Sequence, residues 1–177
     1  MYVISGKYKH KKLEGINLKN TRPTMDRVKE SMMAMIQDYI PNSIVLDLFA
    51  GSGSLAIEAL SMGANKAYFV DNDILAIKTI KNNLKDISEE TNILKMDYNK
   101  ALKYLADLKI KFDIIFLDPP YEKYDLEKII NDINEMNLLN NEGIIVVETT
   151  KMLPFETLKS RKISDKIILI LEKRKKV

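Results

Sequence analysis

The sequence predicts an α/β fold on a mostly parallel β-sheet of seven strands. From residue 44 onward, short aliphatic runs alternate with amphipathic segments of helical spacing. The runs are continuous, as expected for strands covered by helices on both faces. The last two runs follow each other without a helix, which predicts an antiparallel hairpin on one edge. A length of 177 residues fits one domain, spanning 1–177.

The five internal strands are predicted at 44–48, 67–70, 92–96, 112–117 and 143–148. The separating helices are predicted at 54–62, 74–84, 100–108 and 126–136, and the edge hairpin at 162–163 and 167–171. Residues 1–20 are predicted to form a basic hairpin or extended arm. Thr24 is predicted to cap a further helix, whose apolar face carries Val28, Met32, Met35, Ile36 and Tyr39.

Composition excludes several kinds of chemistry. The chain has no cysteine, so it has neither disulfides nor a cysteine nucleophile. Its one histidine, His10, lies in a basic segment, which argues against a Ser-His-Asp triad or a histidine metal site, and no metal is predicted. The longest aliphatic runs are too short to cross a bilayer, and the N-terminus does not resemble a signal peptide. We expect a cytoplasmic protein without membrane contact.

Charge is distributed unevenly along the chain. The net charge is +3, yet residues 1–30 carry +5, residues 151–177 carry +6 and residues 31–150 carry −8. This pattern suggests a polyanion bound at the ends and a cation held in the middle. Basic ends that only keep the protein in solution are an equally good interpretation of charge alone.

Acidic residues close four of the predicted strands: Asp47, Asp71, Asp97 and Asp118. In a parallel sheet the carboxyl ends of the strands share one edge, where ligands bind. A single acid there is usually a helix cap, whereas four acids suggest a binding site.

The turn after the first strand contains Gly51 and Gly53, which allow close approach of a ligand to the backbone. Together with Asp71 it also fits a dinucleotide-binding fingerprint. However, the carboxylate of Asp47 would repel a pyrophosphate at this position. S-adenosylmethionine carries a sulfonium and an ammonium and no phosphate, so the acids favour that cofactor.

Each acid has a predicted role towards this cofactor. Asp71 would accept hydrogen bonds from the ribose hydroxyls, and Asp47 with the backbone of Gly51 would face the methionine moiety. Asp97 would accept from the adenine amino group, or would only cap the next helix. The predicted cofactor-binding set also includes Phe49, Ala50, Ser52, Gly53, Asn72 and Tyr98.

Asp118-Pro119-Pro120-Tyr121 follows the fourth strand and predicts the catalytic loop. Prolines fix φ and lack N–H groups, so their carbonyls remain available as acceptors. A carboxylate beside such a carbonyl can hold both hydrogens of an amino group and favours positive charge on its nitrogen. Tyr121 can stack on a base that has left its helix. These features predict methylation of an exocyclic amino group of a nucleobase.

Four motifs resemble those of the RsmD family: TRPTMDRVKE at 21–30, LDLFAGSG at 46–53, EALSMGA at 58–64 and DPPY at 118–121. The resemblance implies a Rossmann-like class I methyltransferase fold that uses S-adenosylmethionine. It implies guanine N2 in 16S ribosomal RNA as the target, methylated within small-subunit assembly. It also implies that Arg22, Thr24 and Arg27 lie near the cofactor or substrate mouth.

Phosphate contacts are predicted for Lys7, Lys9, Lys11, Lys12, Arg22 and Arg27. Three other functions stay open on the residues alone. They are adenine-N6 methylation of DNA or RNA, nicotinamide-dependent oxidoreduction based on the glycine turn, and non-catalytic RNA binding during ribosome assembly.

Overall fold

The computed structural model describes residues 1–16, 23–120 and 123–174, without the side chains at 23 and 24. Its helices are α1 (Pro23–Met35), α2 (Ser54–Ser61), α3 (Ile74–Asn83), α4 (Tyr98–Asp107) and α5 (Leu126–Glu135), with a 3-10 turn at Gln37–Tyr39. Its strands are β1 (Ile44–Asp47), β2 (Lys66–Asp71), β3 (Glu90–Lys95), β4 (Phe112–Leu117), β5 (Leu139–Thr149), β6 (Lys159–Ile163) and β7 (Lys166–Glu172).

The described strands form one seven-stranded sheet in the order β3-β2-β1-β4-β5-β7-β6. Strands β1 to β5 are parallel, β7 is antiparallel to β5, and β6 is antiparallel to β7. Alternate residues of the strands pack into two hydrophobic cores, one on each face of the sheet. One core lies under α1, α2 and α3, and the other lies under α4 and α5. The predicted fold class, including the edge hairpin, is confirmed. The carboxyl ends of the parallel strands share one edge, called here the carboxyl edge; their starts form the amino edge.

Several predicted strand boundaries were wrong, two of them at the margins of the sheet. β3 begins at Glu90 rather than 92, and β6 begins at Lys159 rather than 162. Both are edge strands with polar, largely accessible residues, so hydrophobicity does not mark their starts. β5 extends back to Leu139 past a register irregularity against β4.

The first helix begins two residues earlier than the capping prediction requires. Pro23 opens α1, so Thr24 is its second residue and not its cap. Proline is favoured at this position because its missing N–H would have no helical partner. The predicted apolar face is otherwise confirmed: Val28, Met32 and Ile36 are buried, although Ile36 and Tyr39 fall beyond the end of α1.

The N-terminal segment is packed against the domain. Val3 and Leu13 are buried, and the two arms are joined by backbone hydrogen bonds between Val3 and its partners Lys11 and His10. The pairing amounts to one isolated bridge, Tyr2 with Lys12, rather than two strands. Residues 17–20 of the predicted arm lie outside the described residues. Among the described helices, none is long and apolar enough to span a membrane.

Candidate active site

Four acids end up side by side at the carboxyl edge, because β3, β2, β1 and β4 are neighbours in the sheet. Asp47 and Asp71 are the last residues of β1 and β2, Asp97 follows β3 by two residues, and Asp118 directly follows β4. Four carboxyl groups are therefore gathered along this edge of the sheet.

The glycine turn joins β1 to α2 in a conformation that needs glycine. Gly51 and Gly53 have φ of 57° and 83°, where other residues are strained. A Cβ at Gly53 would also lie 3.1 Å from the ring of Phe69. Asp71 fastens this turn, since its carboxylate accepts from the amides of Gly51 and Asp73 at 2.9 Å each. Each oxygen keeps a second lone pair for a ligand hydroxyl.

Asp47 is the most unusual acid of the edge. It is 1% exposed, and neither carboxylate oxygen has a hydrogen-bond partner within the described part of the chain. Burial raises the pKa of Asp47 from 3.8 to about 7, and the charge of Asp71 adds to the rise. The backbone amides of Phe49 and Ala56 oppose this rise in pKa, although neither makes a hydrogen bond of ordinary geometry with the carboxylate. A buried acceptor without a partner is costly unless a ligand satisfies it.

A cavity of about 480 Å³ opens between Asp71 and Asp97. Its wall consists of Leu48, Phe49, Asp71, Asn72, Met96, Asp97, Tyr98, Asn99, Lys100, Pro120 and Tyr124. Asp97 both lines this cavity and caps α4, accepting from the amide of Lys100 at 3.1 Å. The structure thus supports the capping interpretation of Asp97. Asp73, not Asp71, caps α3.

Three aromatic rings meet at the border of this cavity. Phe49 lies 5.0 Å from Tyr124 and 5.6 Å from Tyr98, and the two tyrosines are 5.4 Å apart edge to face. Such tilted pairs are the favoured geometry for aromatic rings. The trio forms an apolar wall between the acids of β2 and β3 and the loop after β4.

A second cavity of about 280 Å³ lies on the other side of Tyr124. It is lined by Asp118, Pro119, Tyr124, Asp125, Leu126, Glu127, Glu148, Thr149, Thr150, Lys151, Leu153 and Lys166. Asp118 as a residue is exposed, although surrounding protein desolvates its carboxyl group. That desolvation raises the pKa of Asp118 well above its usual range, Glu148 and Asp47 add to the rise, and Lys166 opposes it.

The remaining cofactor-turn residues hold the turn rather than face the cavities. The amide of Ala50 donates to the carbonyl of Val70, and the amide of Gly53 donates to Ala50. The carbonyl of Ser52 accepts from the side chain of Asn83 at 2.8 Å. Arg22 and Tyr121 lie outside the described residues, as does the side chain of Thr24.

Sequence reasoning missed Tyr124, Glu148 and Lys166. Glu148 could have been found by the rule that selected the other acids, because it stands at the carboxyl end of β5. Tyr124 and Lys166 carry no such signal: one lies in the loop before α5, and the other reaches the edge only because β7 runs antiparallel.

The predicted RNA-binding lysines of the N-terminus lie far from this edge. Gly6 packs against Ser61 at the end of α2, and Lys7 pairs with Glu89, just before β3, at 3.3 Å. Lys11 donates to the carbonyl of Lys85. These contacts belong to the amino edge. Lys9 and Lys12 are exposed, as is Arg27 in the first half of α1.

The chain is similar in sequence to one protein family and to several known proteins over most of its length. The family model described as conserved hypothetical protein 95 matches residues 1–170. The Bacillus subtilis protein YlbH is 43% identical over 150 residues, covering 84% of this chain and 82% of that protein. The ribosomal RNA small subunit methyltransferase D of Haemophilus influenzae is 37% identical over 158 residues, covering 88% and 81%.

A solved structure extends the comparison to the fold. The Thermus thermophilus 16S rRNA N2 G1207 methyltransferase, determined with AdoMet and guanosine, superposes with a TM-score of 0.70 at 21% identity. The match covers 89% of this chain and 45% of that one, so this chain spans about half its length. The resemblance found in the motifs is confirmed: the chain belongs to the family of conserved hypothetical protein 95, the RsmD family.

Proposed function

We propose that this chain transfers a methyl group from S-adenosylmethionine to N2 of a guanine in 16S ribosomal RNA. The observation that carries the proposal is the pair of cavities that share Tyr124, with Pro119 lining one and Pro120 the other. One has cofactor-type acids on its wall, and the other has the carboxyl group of Asp118. The printed names of relatives in the family support ribosomal RNA as the substrate class.

The residues present fit S-adenosylmethionine. Asp47 offers a buried carboxylate without a partner among the described residues, which suits a cation and would repel a pyrophosphate. The ribose would contact Asp71, the adenine would lie against the cavity wall beside Asp97, and Phe49 and Tyr98 would supply apolar contact. This cofactor supplies an electrophilic methyl group on a sulfonium.

The chain's own residues would orient the nucleophile. The carboxyl group of Asp118 and the carbonyl of Pro119 can hold the two hydrogens of the amino group, aiming its lone pair at the methyl. When Asp118 is ionised, its negative charge stabilises the positive charge that develops on nitrogen. The raised pKa of Asp118 also makes this group a suitable acceptor for the proton that the nitrogen finally loses. Orientation and electrostatics thus supply most of the catalysis.

The test is product analysis on small-subunit RNA. We expect N2-methylguanosine by mass spectrometry of digested RNA, and N6-methyladenosine instead would overturn the choice of base. Asp118→Ala should lower the rate on the order of 10²-fold, whereas Asp107→Ala, an exposed acid at the end of α4, should not. An unchanged rate for Asp118→Ala would favour the non-catalytic alternative. Thermal stabilisation by NAD but not by S-adenosylhomocysteine would favour the oxidoreductase.

Phosphate binding needs its own test, because two of the four N-terminal lysines contact the protein. We propose that Lys9, Lys12 and Arg27 contact RNA and that the reaction takes place in the cytoplasm on an assembling subunit. Charge reversal of Lys9 and Lys12 should flatten the salt dependence of RNA binding, by about one unit of slope per lost contact. An unchanged slope would remove the arm from the interface. Comparing naked RNA with a partly assembled particle tests the assembly context.

A further inference from the structure

Three charged groups stand in sequence on neighbouring strands at the carboxyl edge. Asp118 follows β4, Glu148 is near the end of β5, and Lys166 begins β7. The sheet order places β5 between β4 and β7, about 4.8 Å from each neighbour. The order along the edge is therefore carboxyl, carboxyl, ammonium.

The strand registers place the three side chains on the same side of the sheet. Leu117, the last residue of β4, pairs with Val147. Glu148 is the next residue of β5 and Asp118 is the first residue after β4, so continued alternation gives the two side chains the same orientation. Glu148 pairs with Ile168, and Lys166 lies two residues before Ile168. Side chains two residues apart on a strand point to the same face. All three line the 280 Å³ cavity.

Other observations agree that these groups form one charge cluster with apolar walls. Glu148 raises the pKa of Asp118 and Lys166 lowers it, which requires both to be near its carboxyl group. Tyr124, Leu126 and Leu153 also line the cavity, so a flat ring would find apolar surface there. Its volume lies near the lower end of the range for small-molecule pockets, which suits a single base.

The Watson–Crick edge of guanine offers the complementary pattern. It presents the N2 amino group, the N1–H and the O6 carbonyl in sequence, which are donor, donor and acceptor. Adenine presents an amino donor followed by N1, which is an acceptor. A carboxylate facing N1 of adenine would meet a lone pair, and an ammonium would find no O6. An enzyme that acts on a base removed from its stack reads it through this edge.

We propose that Glu148 and Lys166 are the residues that select guanine. Glu148 accepts the N1–H and Lys166 donates to O6, while Asp118 holds the N2 amino group. The inference rests on the proposed methylation of an amino group at Asp118, and adds the reason for guanine rather than adenine. Glu148 and Lys166 are specificity residues, whereas the transferred group is handled at Asp118.

The experiment compares guanine with 2-aminopurine at the target position of the RNA. 2-Aminopurine keeps the 2-amino group but lacks the N1–H and O6. The unmodified protein should prefer guanine by 10²-fold or more in kcat/KM, because a site built for hydrogen bonds rejects analogues that lack them. Glu148→Gln should reduce that preference at least about tenfold, since its amide can donate to N1 of 2-aminopurine. Lys166→Met should lower the rate on guanine more than the rate on 2-aminopurine.

Two controls keep the result interpretable. Glu135→Gln removes the same charge from the exposed side of α5 and should leave the preference unchanged. Binding of S-adenosylhomocysteine, measured by calorimetry, should be retained in Glu148→Gln, which shows that the fold and cofactor site persist. If Glu148→Gln slows both substrates equally, Glu148 acts only through Asp118 or the fold, and the inference is wrong although the proposed function stands. If the unmodified protein makes no N2-methylguanosine, both are wrong.

Discussion

Asp47→Asn should make the cofactor-free protein more stable above neutral pH and weaken its binding of cofactor. The carboxyl group is 1% exposed, and its pKa rises from 3.8 to about 7, chiefly through burial. Because the folded pKa is raised, the folded state binds the proton more tightly than the unfolded state does. The stability that this proton provides is complete below about pH 4 and is lost as the pH rises towards 7.

The size of the effect follows from the same shift. A tenfold change in proton affinity corresponds to about 1.4 kcal/mol, so the full difference corresponds to about 4 kcal/mol. About 3 kcal/mol of it falls between pH 4.5 and pH 8. Asparagine cannot lose a proton, so relative to the unmodified protein the variant should gain about that much over this interval.

The assay is urea unfolding at several pH values from 4.5 to 8, with Asp107→Asn as the control at an exposed acid. The free energy of unfolding of Asp47→Asn should diverge upward from that of the unmodified protein as pH rises, whereas the control should run parallel to it. Calorimetry with S-adenosylhomocysteine at pH 8 should show weaker binding to the variant. Parallel stability curves for Asp47→Asn would refute the reasoning, because they would mean that Asp47 ionises normally in its buried position.

Three further substitutions test the cofactor site, the glycine turn and a buried ion pair beneath the N-terminal segment. Asp71→Ala should reduce affinity for S-adenosylhomocysteine at least about tenfold, since it removes a hydroxyl acceptor and the anchor of the glycine turn; unchanged calorimetric affinity would exclude the ribose role. Gly53→Ala should destabilise by about 1–2 kcal/mol in denaturant unfolding because of its φ of 83° and the nearby ring of Phe69, and an unaffected midpoint would contradict this. Lys29→Met should cost about 3–5 kcal/mol by leaving the buried Glu58 without its cation at 3.4 Å. A loss under 1 kcal/mol would mean that the amides of Ile4 and Ser5, which donate to the Glu58 carboxylate, are sufficient.

The layout of the strand-end acids was predictable, whereas the role of each acid was not. Asp47, Asp71 and Asp118 follow aliphatic runs, and the parallel topology alone brings such positions to one edge. Whether Asp97 caps a helix or faces a ligand depends on the placement of one amide, that of Lys100, which composition does not determine. The dual role of Asp71 likewise depends on the path of the glycine turn.

Contacts between segments that are distant in sequence could not be predicted from residue patterns and spacing. Phe49, Tyr98 and Tyr124 are far apart in sequence, and they meet only because β1 lies between β2 and β4. The positive charge of the N-terminal segment was evident from the sequence, but its position in the folded domain was not. The chain reverses around Gly6, which packs against Ser61, and this reversal carries the lysines to the amino edge.

The electrostatics of the edge indicate which kind of cofactor can bind there. Asp47 raises the pKa of Asp118, and Asp71 raises that of Asp47, so each acid makes ionisation of the next less favourable. An anionic ligand would increase this repulsion, whereas a cation would relieve it. Binding of a cationic cofactor should therefore release a proton from Asp47 near neutral pH and strengthen as pH rises through 7. The arrangement that destabilises the cofactor-free protein is thus the one that makes a sulfonium cofactor bind well.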